Sequence, residues 1–121
     1  KNIFDYSMAG INCTVISDVQ RLVVEILEAD KPLGAICIAP VMVAKILEFL
    51  GRTGTVTGGF NVEINNDIKA MGINTIKVGA EEIVIDKENK IVTTPAYVEA
   101  KSMNESFTGI EKLVNKVLDM I

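Results

Sequence analysis

The chain has 121 residues and a net charge of −4, with 49% apolar and 23% charged side chains, which is enough for one compact domain with a core of its own. It carries neither the basic stripe nor the interleaved aromatics of a nucleic-acid surface, and its longest apolar run, Leu33 to Ala44, is broken by Gly34 and Pro40 and too short to span a bilayer. There is no histidine, which removes Ser-His and Cys-His catalysis within this chain and most zinc sites.

Residues 1–15 show no period and are expected to be mostly loop. Ser17 or Asp18 is a candidate helix cap. Val19, Leu22, Val23, Ile26 and Leu27 then follow at helical spacing, predicting an amphipathic helix over roughly 17–30 that Lys31-Pro32 ends. Leu33 to Cys37 is apolar on both faces and predicts a buried parallel strand. Pro40 suits the first turn of the next helix, which Gly51 stops. A β-prone segment at 53–57 is broken by Gly58-Gly59. A helix near 62–71 and a short strand at 75–78 follow. Ile83 to Asp86 and Lys90 to Thr94 flank a polar turn and predict an antiparallel hairpin. Phe107, Ile110, Leu113, Val114, Val117, Leu118 and Ile121 predict a final helix, with Gly109 a weak point inside it.

The predicted order is α-β-α-β-α-β-β-β-α. Alternation of this kind makes a doubly wound, mostly parallel α/β sheet of flavodoxin-like type, here with one antiparallel hairpin. The first helix has no strand before it, whereas such a domain normally opens on a strand that becomes central. No repeat, low-complexity segment or linker divides residues 1–121.

"GAICIAPVMVAKIL" sets a thiol between predicted strand and helix. Cys37 is either a small buried hydrophobe or a nucleophile held at a strand-to-helix turn. Open α/β sheets place ligands at such joints, where free N–H groups and the helix dipole favour a thiolate or a substrate oxyanion. The expected donors are Ile38 and the residues after Pro40. The positions two residues either side, glycines in the usual elbow, are Ala35 and Ala39, small enough for a tight turn. Cys13 lies in the loop before the first helix and either comes near the same site or is structural or incidental. The two cysteines lack metal-type spacing, and in an acidic chain without a signal-like stretch they fit a reducing cytoplasm better than a disulfide.

"AICIAP" resembles the nucleophile elbow of the PfpI superfamily, whose fold is like that of class I glutamine amidotransferases. "KPLGAICIAPVMVAKIL", "EEIVIDKENKIVTTPAY" and "GIEKLVNKVL" together resemble its glyoxalase-like ElbB family over nearly the whole chain. The resemblance implies that residues 1–121 form the C-terminal half of a single domain. The missing N-terminal half would supply central strands, a glycine-rich loop with oxyanion contacts and a glutamate beside the cysteine. It also gives Cys37 as nucleophile and the Ile38 N–H as oxyanion donor, with Ala39 beside it. Ile38 stands where a peptidase or amidotransferase of this type would carry histidine, which argues against both activities.

The implied activity is cofactor-free and metal-free conversion of a small carbonyl substrate, glyoxal or methylglyoxal, by a homo-oligomeric cytoplasmic enzyme. The alternative is a non-catalytic, redox-responsive or interaction module in which Cys37 is oxidised. Two further positions remain open. Gly58 either lines a pocket at the end of its strand or, with Gly59, only breaks the strand. Thr94 either borders the site or belongs to a β-prone strand closed by Pro95. Glu81 and Glu82 point to opposite faces of any strand and read as solvated charges, and the five methionines as gap-filling core.

Overall fold

The computed structural model describes residues 4–121, Ser7 by its backbone alone. A short helix α1 (Tyr6–Ala9) and a 3-10 turn (Gly10–Asn12) are closed by a bridge between Phe4 and Val15. The expected loop is therefore a small folded hook from Phe4 onward, and residues 1–3 lie outside the described residues. Helix α2 (Ser17–Glu28) buries Val23 and Leu27. Its N-cap is Ile16, not Ser17 or Asp18, and no side chain caps it; Asp18 sits in the first turn, where its charge meets the positive end of the dipole.

Strand β1 (Leu33–Ile36) runs parallel to the later strand β5 (Ile91–Thr94), with Leu33 opposite Ile91 and Ile36 opposite Thr94. Strand β4 (Val84–Asp86) pairs antiparallel with β5 across the predicted hairpin, giving the order β1-β5-β4. β5 is central and all four of its residues are buried. Strands β2 (Thr55–Val56) and β3 (Asn74–Thr75) form a separate parallel pair, each shorter than the sequence suggests. Asp86 ties the two sheets together. One carboxylate oxygen accepts from the Asn89 N–H at 3.0 Å, and the other from Thr55 N–H at 2.8 Å and Asn89 Nδ2 at 2.9 Å. Three donors satisfy a carboxylate that is nearly buried.

Helix α3 (Ala39–Leu50) carries Pro40 in its first turn and ends on Gly51, whose φ of +69° makes a left-handed cap. Helix α4 (Val62–Ala70) is capped by Asn61, which accepts the Ile64 N–H. Helix α5 (Met103–Asp119) starts at Ser102, whose hydroxyl accepts the Glu105 N–H at 3.3 Å, a Ser-x-x-Glu start legible in the sequence. Gly34 and Ala35 point to opposite faces of β1. A Cβ on Gly34 would meet Leu113 and Val117 of α5, while Ala35 joins the core of α2, α3 and α4. The sheet thus has α5 on one face and the other helices on the opposite one, as a doubly wound fold requires.

Two expectations need correction. β1 was expected to be a buried strand, but only Ala35 in it is buried: helices lie on both faces, yet among the described residues β5 is its sole strand neighbour and its other edge stays open. The apolar positions of α5 also do not all turn inward. Leu113 is buried, Ile110 and Val117 are half-buried, and Phe107, Val114, Leu118 and Ile121 are exposed. The inward face is instead made of Ser106, Gly109 and Leu113, so that small residues let the helix sit close.

Gly109 is where that approach is tightest. A Cβ there would collide with the Ala80 carbonyl oxygen and lie 2.9 Å from Thr94 Oγ1. Helix propensity alone would favour alanine by about 1 kcal/mol. The collision is with backbone, which cannot rotate away, so overpacking of about 1–3 kcal/mol outweighs that gain. Gly109→Ala is expected to lower the urea midpoint of unfolding; an unchanged or raised midpoint would show that α5 has room to move.

Candidate functional site

The joint between β1 and α3 is a tight turn. Cys37 has φ of +67°, in the left-handed region that a residue with a Cβ occupies at a cost of about 1–2 kcal/mol. Parallel pairing holds it there, since the Cys37 N–H donates to the Thr94 carbonyl at 3.0 Å. The side chain is partly exposed. The N–H groups of Ile38 and Ala39 find no backbone acceptor among the described residues, and they open the helix beside the thiol. Beyond Pro40 the first N–H is taken: that of Val41 turns back to the Ile38 carbonyl at 3.0 Å and is not available. Ile38 itself is 38% exposed, so this turn is open to solvent on its apolar side as well.

Thr94 meets Cys37 through its backbone. Its hydroxyl points the other way, donating to the Glu82 carbonyl at 2.8 Å and lying 3.4 Å from that of Ala80, and the side chain is fully buried. It anchors the 80–82 segment under α5 and does not border an opening. After Pro95 the chain enters a 3-10 turn (Ala96–Val98), with Ala96 at φ +42°.

β2 runs in the same sense as β5. Thr55 lies by Asp86, opposite the start of β5, and the Thr57 N–H reaches Thr93 Oγ1 at 3.2 Å. The ends of β1, β2 and β5 therefore fall on one side, bringing Cys37, Gly58-Gly59 and the 96–98 turn to the same end of the fold, where open α/β sheets bind ligands. Gly58 does not offer its N–H there, because Asn65 Oδ1 accepts it at 3.0 Å. Glu99, which no sequence pattern singles out, does face this end: its carboxylate accepts the Phe60 N–H at 2.9 Å.

Cys13 belongs elsewhere. It is 1% exposed and lines a cavity of ≈ 350 Å³ with Lys45, Glu48 and Phe49 of the C-terminal half of α3, whereas Cys37 stands at that helix's N-terminus. Burial pushes its thiol up, with Lys45 acting in the opposite sense. Both cysteines are free. Glu81 and Glu82 are exposed, Glu82 within 3.5 Å of Lys112. Among the described residues no three His, Cys, Asp or Glu side chains gather into a metal site, and no helix is long and apolar enough to cross a membrane.

The fold is amidotransferase-like, of flavodoxin type. It superposes with a TM-score of 0.83 on the crystal structure of an isoprenoid biosynthesis protein with an amidotransferase-like domain from Ehrlichia chaffeensis, at 25% identity over all of this chain and 54% of that one. Glutamine amidotransferase-like class 1 domain-containing protein 3, mitochondrial, of Homo sapiens is 34% identical over 129 aligned positions, covering 99% of this chain and 47% of the human protein. The mitochondrial ES1 protein homolog of Rattus norvegicus is 33% identical, with 99% of this chain and 47% of the rat protein covered. The mitochondrial ES1 protein of Danio rerio is 26% identical, with 99% and 48% covered. No protein-family model matches the chain. The chain spans about half the length of the curated relatives it matches.

These names overturn the cytoplasmic expectation, since all three relatives are mitochondrial proteins. Two thiols that the fold keeps apart do not tell one compartment from another.

Two expected outcomes follow from the two thiols. Because the backbone at Cys37 is left-handed, Cys37→Gly should be more stable than Cys37→Ala by about 1 kcal/mol, since only glycine is at ease there. Denaturant unfolding of both variants decides it, and the reverse order would exclude the turn. At Cys13 the folded thiol titrates above its unfolded value. Its contribution is fully present below a pH of about 8.5 and is lost as the unfolded chain ionises first above it. Stability should fall above that pH, and the fall should be smaller in Cys13→Ala. Equal slopes in wild type and variant would contradict the burial of Cys13.

Proposed function

We propose that Cys37 is the nucleophile of a glyoxalase-like enzyme of the ElbB type, acting on small 2-oxoaldehydes such as glyoxal and methylglyoxal. The observation that carries this is the left-handed, partly exposed Cys37 beside two N–H groups without backbone acceptors. A core cysteine needs no such turn, and strain of this kind is kept where a side chain must be presented.

The thiolate adds to the aldehyde carbon and forms a hemithioacetal, while the N–H groups of Ile38 and Ala39 receive the developing oxyanion. A carboxylate then moves the proton from C1 to C2, giving a 2-hydroxy thioester. Water hydrolyses it to the hydroxy acid and returns the thiol. Aldehyde carbon is oxidised and ketone (or second aldehyde) carbon reduced within one molecule, so no external oxidant enters and neither metal nor nucleotide is required.

The same proposal makes residues 1–121 the C-terminal half of one domain. The half-length match to the relatives, the open edge of β1 and the exposed positions of α5 all support a companion N-terminal half that pairs with β1 and brings the carboxylate. Assembly of the intact protein as a homo-oligomer is part of the proposal.

A second reading is favoured by one observation: cavities of ≈ 350 to ≈ 430 Å³ lie along other parts of the surface, and none of these is lined by Cys37. In that reading Cys37 is a redox-responsive thiol that turns nothing over.

Turnover of glyoxal and methylglyoxal separates the two. With the N-terminal half present, wild type should form hydroxy acid and Cys37→Ser should lose about 10³-fold or more, the scale of losing a nucleophile. Residues 1–121 alone should be inactive. No turnover by the two halves together would sink the enzymatic reading, and turnover that survives Cys37→Ser would remove Cys37 from it.

A further inference from the structure

The loop after β2 is held by side chains at every step. Its four successive N–H groups, from Thr57 to Phe60, all donate to side-chain oxygens. The acceptors are Thr93 Oγ1 on β5 at 3.2 Å, Asn65 Oδ1 on α4 at 3.0 Å, Thr57 Oγ1 at 2.9 Å and Glu99 Oε2 at 2.9 Å. Asn65 Nδ2 returns a bond to the Gly59 carbonyl at 3.0 Å. Thr57, Gly58 and Gly59 are buried, so their N–H groups have to be paired inside the protein. Phe60 is exposed and its N–H could be left to water, so ordering the Glu99 side chain to hold it, at a cost in conformational entropy, fixes the loop's exact place.

Glu99 is the acceptor that joins this loop to the cysteine's own support. It follows the turn that starts beyond Thr94, and the Thr94 carbonyl holds the Cys37 N–H. Three bonds make that turn stiff: Val98 N–H to the Pro95 carbonyl, and Glu99 and Ala100 N–H to that of Ala96. Gly59 is fitted to the carboxylate. Its φ is +69°, and a Cβ would lie 2.5 Å from Glu99 Cγ and 2.8 Å from Oε2, so the position takes no side chain while Glu99 is seated. Ile38, Phe60 and Tyr97 project from the same end, exposed at 38%, 55% and 59%.

We infer that Glu99 is a positioning residue for the Cys37 site: by accepting the Phe60 N–H it ties the loop after β2 to the turn after β5 and sets how wide an approach the thiol offers. The inference rests on the proposed nucleophilic role of Cys37. Its consequence is selectivity for small carbonyl compounds over bulky ones, made by a carboxylate that does no proton transfer.

The test compares alkylation of Cys37 by iodoacetamide and by a bulky maleimide, read by mass spectrometry on the intact protein. Cys13, buried in another part of the core, reports any general loosening in the same sample. In wild type the small reagent should be strongly preferred at Cys37. Glu99→Ala should reduce that preference about tenfold, the scale of one charge-assisted hydrogen bond. Hydrogen exchange at the Phe60 amide should speed up alongside, with Cys13 labelling unchanged. Glu99→Gln keeps an acceptor oxygen and should restore both, whereas Gly59→Ala should behave like Glu99→Ala. An unchanged preference in Glu99→Ala overturns the inference, as does a parallel rise in Cys13 labelling or a failure of Glu99→Gln to rescue. A wild-type Cys37 as slow as Cys13 would overturn the nucleophile proposal, and this inference with it; a reactive Cys37 indifferent to Glu99 overturns this one alone.

Discussion

The bond from the Cys37 N–H to the Thr94 carbonyl is what the site depends on. It extends the parallel register of β1 and β5 by one residue past Ile36, at the point where the chain must already turn into α3. Extended backbone on one side and helix on the other leave one residue to absorb the change of direction, and Cys37 absorbs it at φ +67°. Without the strand pairing the left-handed conformation would relax, since no hydrogen bond would offset its cost. The sheet edge, the helix start and the exposure of the sulfur are thus one constraint.

That constraint is only as firm as Thr94, and Thr94 is firm because of what is packed on it. Its hydroxyl spans to the carbonyls of the 80–82 segment, and α5 closes over that segment at Gly109. Glycine here is not a defect of the helix. It removes the one Cβ that would hold α5 away from the Ala80 carbonyl and leave a buried hydroxyl and two carbonyls poorly covered. Packing on the far face of the sheet therefore reaches Cys37 through a single residue of β5, Thr94.

Much of the fold was legible because it follows from local rules. Pro40 and Gly51 bracket α3 as their backbone preferences demand, and the polar turn after Asp86 marks the hairpin. Cys37 was legible as a joint because small residues flank it on both sides. What the sequence hid was tertiary. Ile16 caps α2 with no side-chain bond, so cap chemistry at Ser17 and Asp18 misled. An apolar strand reads the same whether both its edges are paired or only one, so the open edge of β1 had no signature. Gly58 could be read as lining a pocket or as only breaking its strand, and nothing in the sequence showed that Asn65, seven residues on, takes its N–H. Glu99 acts across 39 residues of sequence, a distance at which a lone carboxylate carries no pattern.

The two cysteines show how far environment alone separates identical side chains. Cys13 keeps its thiol in the core beside Val15 and Phe49, where burial disfavours a charged sulfur more than Lys45 and a backbone hydrogen bond favour it. Cys37 sits at a helix start with two backbone donors at hand and solvent beside it. The chain has no histidine to take a proton from either sulfur. Within this chain, what can activate Cys37 is the backbone that surrounds it; the carboxylate belongs to the proposal. A site of this kind suits chemistry in which the nucleophile adds to an aldehyde and leaves again unchanged. It suits less well the expulsion of an amine, where an acid must deliver a proton to the leaving group. That difference, with Ile38 as the residue after the cysteine, underlies the proposal of carbonyl chemistry in place of amide chemistry.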